Sequence, residues 1–577
     1  MGDVLSARFY ITTAIDYANG PPHLGHAYEK VLADAIARFH RQQGHDTYYL
    51  TGTDEHGQKI MQAAAAAGET PDVFVAKIAQ NFKDAWKELR VEYDQFIRTT
   101  DPKHEEAVRA LYRRLMKARS PKTGQPALFE KDYEGLYCDG CEEFKQEKDL
   151  DEQGRCPIHL RPVKKVHETN WFFRMSEYDG ALLAHIEKHP EFIQPDFRRN
   201  EVVNVIRGGL LDVSMTRRNV PWGVVLPADI TGSEGHTAYV WGDALLNYLS
   251  ALGWPEPRHT EWWLAPEGEA GGPGAAREDE FAALHGRGRP GEPWVPASPP
   301  RVTNAFHLIG KDISRFHCII WPSVLLAAGA TLPRQVYVHG FILAKGEKLS
   351  KSLGARIDPV EMGRAYGMDA VRFYILRAIT TGRDGEFTLE QFVEHCNTQL
   401  ANNLGNLASR TVQMVHKYFE GRTPDTYDPA TLGDPDARAA LDALLEAAAA
   451  SAESVPRSFH ELRIHEALAE AWVPVERANE FIERVKPWAL AKDEARRAEL
   501  ATALNALLET LRLVAIWSWP AIPTKSEALW RTLALPGSPA DARGADAQPH
   551  FAAAKPQRTL GERKSLFPRL EIKAEAT

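Results

Sequence analysis

The spacing of apolar residues changes period several times along the chain. Phe9-Tyr10-Ile11-Thr12-Thr13-Ala14-Ile15 is a short run of β-branched and aromatic residues, which predicts a buried strand. From Ala27 to His40 the apolar residues Val31, Leu32, Ala35, Ile36 and Phe39 recur at helical intervals. Gly20-Pro21-Pro22-His23-Leu24-Gly25-His26 must turn between them, placing His23 and His26 at a helix N-terminus. A second strand, Thr47-Tyr48-Tyr49-Leu50, runs into Thr51-Gly52-Thr53-Asp54-Glu55-His56-Gly57, and helical spacing resumes at Gln58. Strands alternating with helices predict an α/β fold built on a doubly wound parallel sheet. The alternation breaks between 116 and 225 and returns over 226–325. From about 390 the pattern is helical. Phe392, Leu400, Leu404, Leu407 and Val412 fit one helix, and amphipathic runs at 436–455, 458–485 and 495–518 are broken by Pro487 and Pro520. Antiparallel helices of this kind form a bundle.

Composition narrows the picture only modestly. A chain of 577 residues calls for about three or four domains. Hydrophobic residues at 44% and charged ones at 25% suit a globular protein, and a net charge of −9 argues against a strongly basic nucleic-acid binder. A local basic face stays compatible with that charge. The first residues lack the apolar core of a signal peptide and no run is long enough to span a bilayer, so the expected location is cytoplasmic, away from membranes. The stretch 264–300, dense in Gly, Pro, Ala and charge, reads as a surface insert, and Ser565–Leu570 as an apolar patch packing back on the body.

Three of the five cysteines lie close together. Cys138-x-x-Cys141 and Cys156-x-x-His159 are two close pairs of soft ligands, the spacing of a Cys₃His zinc site. Four protein ligands leave no position for a reactive water, so one structural Zn²⁺ is expected here.

At a helix N-terminus, free N–H groups and the helix dipole favour an anion. Gly25 would let that anion approach the backbone. Two histidines at such a position are by themselves ordinarily capping or packing residues. A second stretch, Lys348-Leu349-Ser350-Lys351-Ser352 between Gly346 and Gly354, reads as a phosphate-binding loop. An early H-x-G-H and a late K-x-S-K-S resemble the two signature motifs of class I aminoacyl-tRNA synthetases, with leucine replacing the customary isoleucine and methionine. Neither apolar swap touches a polar role.

Other stretches, in order over residues 8–535, resemble the methionyl-tRNA synthetase family: Tyr17-Ala18-Asn19-Gly20, Gly52–Gly57, Tyr239-Val240-Trp241, Ile309–Ile313, Asn406–Arg410 and Lys486-Pro487-Trp488. The resemblance implies a Rossmann-like catalytic domain over 1–115 and 226–325, with a zinc-bearing connective insertion at 116–225. A linker carrying the KLSKS loop would follow at 326–389, an all-α anticodon-binding bundle at 390–535 and a tail at 536–577. It implies methionine activation by ATP, with Mg²⁺ accompanying the nucleotide, then transfer to the terminal adenosine of tRNA(Met). His23, His26, Lys348 and Lys351 would be catalytic, and Gly25, Gly310, Asp312 and Ser350 would join them around ATP. Asp54 would pair with the methionine ammonium, its plain alternative being a helix N-cap. Trp241, Ala244, Leu245 and Tyr248 form a helical stripe that by itself reads as core; the resemblance makes them, with Ile15, Tyr17, Ile313 and His317, the side-chain pocket. Tyr17 and His317 are the only polar tips expected near the sulfur. Asn406, Arg410 and Trp488 would read the anticodon, core packing being the plain alternative for Trp488. The chain is expected to act as a monomer, since it ends without the extra domain that dimerises some relatives. Two competing readings are a nucleotidyltransferase acting on a small metabolite, which leaves the cysteine pairs and bundle unexplained, and a non-catalytic tRNA-binding paralogue, which would be expected to have lost signature residues that are present.

Overall fold

The computed structural model describes residues 8–138, 143–145, 147, 150–157, 161–218, 220–232, 234–263, 305–344, 347–348, 357–551, 557–562 and 564–572. The 264–300 insert, Cys141, His159, Gly346, Ser350, Lys351 and Gly354 lie outside them. The first half begins β1 (Arg8–Thr13), β2 (Asp16–Tyr17), α1 (Leu24–Gln42), β3 (Asp46–Asp54), α2 (Gln58–Ala66), α3 (Pro71–Glu88), β4 (Gln95–Arg98) and α4 (Pro102–Lys117).

These strands join three later ones in a seven-stranded parallel sheet. Its order is Ile193–Gln194, Gln335–His339, Phe306–Gly310, β1, β3, with β2 and β4 also pairing along β3. The chain leaves β1 for β3 on one side and later returns on its other side through Phe306–Gly310. β1 is therefore the point where strand order reverses, and the crevice at its C-terminal end is where such sheets bind ligands. β1 breaks at Ala14–Ile15 and resumes as β2, which pairs with Thr53 and Asp54.

Where the alternation breaks, an antiparallel sheet takes over, ordered Val213–Ser214, Lys164–Phe173, Leu128–Cys138, Glu143–Lys145. Further on, helices Pro435–His460, Ile464–Val485 and Arg497–Ser518 pack as a bundle around buried Leu444, Trp472, Phe481, Leu504 and Leu511. Among the described residues one helical stretch, Glu494–Ser518, is long and apolar enough to cross a membrane, and it is buried in this bundle. The helix expected over 388–419 is interrupted: Leu389–Cys396 and Asn406–Phe419 are α-helical, and Asn397–Gly405 between them is a π-helix. Its wider turn carries Asn397, whose side chain exchanges two hydrogen bonds with Leu570, at 2.9 and 2.7 Å. The tail patch packs back as expected, with Phe567 buried.

One guanidinium joins sheet layer and bundle. Arg372 is fully buried and donates to Asp34 (2.7 Å) on α1, to the Leu89 carbonyl (3.1 Å), and to the Pro520 and Ala521 carbonyls (3.0 and 2.8 Å) beyond the bundle's core helix. Asp34 also accepts from Arg38 and from the Glu92 N–H, both at 2.8 Å. Arg372→Met should cost about 3 kcal/mol in denaturant unfolding, because it strands three buried carbonyls and half of an ion pair. A loss under about 1 kcal/mol, the scale of an exposed pair, would show that the joint is dispensable.

Candidate active site

The turn that opens α1 is built by its own histidines. His23 is the N-cap of α1: its Nδ1 accepts the N–H groups of Gly25 (3.1 Å) and His26 (3.4 Å), while His26 Nδ1 accepts the His23 N–H (3.1 Å). The rings stack at 3.7 Å. Each ring takes a backbone proton at Nδ1, so each neutral imidazole carries its own proton at Nε2. Capping and anion binding are thus compatible: the cap fixes the tautomer that can donate to a phosphate. Gly25 also serves the cap itself. A Cβ there would sit 3.0 Å from His23 Cε1, so the glycine makes room for the capping ring.

Behind the turn, α1 buries a charged pair against the strand ends. Lys30, 1% exposed, donates to the Ala14 carbonyl (2.9 Å), Asp16 Oδ1 (2.7 Å) and Glu29 Oε1 (2.8 Å). Glu29 Oε2 meets His339 Nε2 at 2.9 Å, at the end of a neighbouring strand. Burial works against both charges, yet the mutual attraction leaves the Lys30 pKa raised and the Glu29 pKa lowered. Asp54 is the last residue of β3 and lies opposite Tyr17 of β2. It is not the cap of α2; that position is Gly57, whose φ of 110° suits a glycine.

Of the predicted methionine stripe Trp241 is half-buried and the other three residues are buried, but the helix is broken into Val240–Ala244 and Asn247–Ser250. Trp241 stacks on Phe316 at 3.8 Å and meets the His317 ring edge-on at 6.3 Å; Ala244, Leu245 and Tyr248 are buried. His317 Nδ1 donates to the Ile313 carbonyl (3.1 Å), which leaves Nε2 to accept the Tyr248 hydroxyl (2.7 Å). The polar tips expected near a bound sulfur therefore need correcting: Tyr248 carries one as well, tied to His317. Gly310 ends its strand where a Cβ would meet Asp312 Oδ1 at 2.9 Å, so Gly310 and Asp312 are brought together.

Lys348 is not in an open loop: its backbone belongs to a two-residue strand, Glu347–Lys348, paired with Leu343. The chain next enters the described region at Ile357, whose carbonyl accepts the Leu24 N–H at 3.0 Å. In the bundle, Asn406 is exposed, and the Arg410 guanidinium lies 5.5 Å from the centre of the Trp488 ring while pairing with Glu483 (2.8 Å). Trp488 is 39% exposed, which removes the core alternative. Cys138 and Cys156 are both buried, each at the turn end of a hairpin, paired across the strands with Glu143 and Arg161.

Sequence reading missed Phe316, Lys30, Glu29, His339 and a second network in which Asp243 accepts from His56 (2.7 Å) and His104 (2.8 Å). Burial pushes the Asp243 carboxyl up, but the two imidazoles outweigh it and hold it at about 2. The available signal was weak: charged residues on the apolar face of α1, and an aspartate two positions from Trp241.

The family described as tRNA synthetases class I (M) matches residues 9–164, 154–271 and 292–412. A methionine–tRNA ligase of Thermotoga maritima is 38% identical over 575 residues, covering 98% of this chain and 81% of its own length. One from Streptomyces coelicolor is 39% identical, covering 98% of both chains. The structure of Mycobacterium tuberculosis methionyl-tRNA synthetase in complex with methionyl-adenylate superposes with a TM-score of 0.81 at 36% identity, covering 98% of this chain and 100% of that one.

Burial holds the His317 imidazole down at about 4. The unfolded ring takes a proton near pH 6.5, so His317 costs stability as pH falls from 6.5 towards 4, and the cost levels off below. His317→Asn should remove that increment from the difference between unfolding curves at pH 7 and pH 4.5. Tyr248→Phe should cost about 1–3 kcal/mol at pH 7 by stranding Nε2. Equal pH dependence in wild type and His317→Asn would show that the ring titrates as in water.

Proposed function

The chain belongs to the methionine–tRNA ligases, a family of class I aminoacyl-tRNA synthetases, and we propose that the crevice at β1 does its chemistry through the residues set out above. The enzyme activates L-methionine with ATP and charges tRNA. The methionine carboxylate attacks the α-phosphorus; a P–O bond to the β-phosphate breaks, pyrophosphate leaves with that electron pair, and methionyl-adenylate remains. The attacking carboxylate is already ionised, so the protein's task is positioning and charge stabilisation.

His23 and His26 donate from Nε2 to the reacting phosphates, beside Gly25. Lys348, Ser350 and Lys351 hold the triphosphate from the other side, and Gly310 and Asp312 border the ribose. Asp54 pairs with the ammonium of methionine. Ile15, Tyr17, Trp241, Ala244, Leu245, Tyr248, Ile313 and His317 enclose its side chain. The hydrogen bond from Leu24 to Ile357 carries this reading, because it ties the segment that follows the second motif to the helix that opens the first. A nucleotidyltransferase shares the early turn but has no use for Trp488 and Arg410 displayed on a separate bundle.

Mg²⁺ enters with ATP and keeps its own waters. Cys138 and Cys156 suit a structural Zn²⁺: two buried thiols at the turn ends of two hairpins, each followed three residues later in the sequence by Cys141 or His159. The metal would pin hairpins that have little core of their own. Asn406, Arg410 and Trp488 read the anticodon by hydrogen bonding and stacking. We read the enzyme as a cytoplasmic monomer.

The purified enzyme is expected to exchange labelled pyrophosphate into ATP only when methionine is supplied. Equal exchange with leucine or isoleucine would reassign the amino acid. Trp488→Ala should leave that exchange within about twofold while lowering kcat/KM for tRNA roughly tenfold or more, the scale of one lost stacking contact. A parallel loss in both assays would return Trp488 to a structural role.

A further inference from the structure

His307 lies in the strand Phe306–Gly310, opposite Thr12 of β1, and is fully buried. Its strand neighbours Phe306, Leu308 and Ile309 are apolar, as a parallel sheet covered on both faces requires. An imidazole buried in such a strand is costly unless both of its nitrogens find partners. Both do. Trp321 Nε1–H, a group that can only donate, reaches His307 Nε2 at 3.2 Å. The ring proton therefore sits on Nδ1 and goes to Thr12 Oγ1, 2.7 Å away. Burial, with the His317 ring nearby, pushes the His307 imidazole well below its ordinary range and keeps it neutral.

The same ring braces Tyr248. The two ring centres are 4.1 Å apart, with 35° between their planes. Tyr248 is held at two further points: its carbonyl accepts the Tyr10 hydroxyl and its own hydroxyl meets His317 Nε2, both at 2.7 Å. His317 lies in the π-turn Phe316–Ile320 and Trp321 directly follows it, its N–H bonded to the Phe316 carbonyl. Wide turns of this kind recur at functional sites. Their rings approach Tyr248 at 5.7 and 6.1 Å between centres. His307 thus joins β1, the helix Asn247–Ser250 and the π-turn into one unit. Resting on the reading that Tyr248 and His317 enclose the methionine side chain, we propose that His307 is a positioning residue for that pocket. It acts through Tyr248, denying that ring room to sink towards the sheet. Its two hydrogen bonds keep the imidazole itself from turning aside. The depth fixed in this way sets the discrimination between methionine and longer thioether amino acids.

Methionine and its S-ethyl homologue, one methylene longer, are compared in amino-acid-dependent pyrophosphate exchange. The ratio of their two kcat/KM values is taken on a single preparation, so it does not depend on the fraction of enzyme that is folded. Wild type is expected to favour methionine by roughly 10–200-fold, the range for one methylene in an apolar pocket. His307→Ala leaves a gap beside Tyr248 and should lower that ratio roughly fivefold or more, through KM, with kcat for methionine within about threefold. His307→Gln keeps a donor and an acceptor but loses the bracing ring; it should lower the ratio too, and gives the readout where His307→Ala does not fold. Leu308→Ala is the control. Leu308 is equally buried but packs on the other face of the sheet, away from Tyr248, so its ratio should stay within about twofold of wild type. An unchanged ratio in whichever His307 variant folds, an equal fall in Leu308→Ala, or a wild type that takes both amino acids alike would overturn the assignment. Absence of methionine-dependent exchange in wild type would instead strike the activation reading.

Discussion

The ammonium group of Lys30 is the contact on which the catalytic geometry depends. It has three protons and gives each to a different oxygen: the carbonyl where β1 breaks, Asp16 on β2, and Glu29 beside it on α1. Through Glu29 the network continues to His339. Three surfaces are thereby fixed to one another: the start of α1, the strand break that holds Ile15 and leads to Tyr17, and the strand that follows Gly310 in the sheet. A charge removed from water at this depth is costly unless every donor is matched, and here every donor is. The arrangement is intolerant by construction. Losing Lys30 would leave two buried carboxylates uncompensated, so the network has one low-energy geometry, which in-line displacement requires of the groups around a phosphate.

Arg372 plays a related part at longer range. Helix α1 and the bundle are different layers joined by one continuous apolar core, and apolar contacts, being non-directional, leave such layers free to slide. Arg372 counters that freedom by satisfying carbonyls from both sides while pairing with Asp34, four residues beyond Lys30 on α1. Rotation of the bundle would have to break hydrogen bonds in a water-free setting. Arg410 and Trp488 therefore sit on a body held at a set relation to His23, which an RNA spanning both sites would need.

What could be read from sequence was what is local. Pro21 and Pro22, the glycines and the change of period between Ile15 and Val31 located the helix start, because turn chemistry and periodicity act over a few residues. Asp54 was placed correctly at a strand end, though its rival role as a cap was excluded only by seeing Gly57 take that position. Lys30 and Glu29 went unread for a physical reason. Charged residues on a helix normally mark its solvated face, and nothing local says that Asp16 and His339 will arrive to match them. The π-helical stretch at Asn397–Gly405 was invisible because Leu400 and Leu404 suit i→i+4 spacing equally well; its i→i+5 bonding is accompanied by contacts with a tail over 150 residues away. Lys348 was misread because the pairing of Glu347–Lys348 with Leu343 and Ala344 depends on a strand only two residues long, below what propensity can signal.

The five-residue helix Val240–Ala244 shows how one short element can join two side-chain clusters. Residues two apart on a helix point to nearly opposite faces. Trp241 turns towards Phe316 and His317, where a methionine side chain would lie, and Asp243 turns towards His56 and His104. A shift of Trp241 must therefore load the Asp243 pair, because both side chains ride on the same turn of helix. Both imidazoles anchor to elements of the first half, His56 just beyond β3 and His104 in α4, so the helix is held between two sets of fixed points instead of riding on a loop.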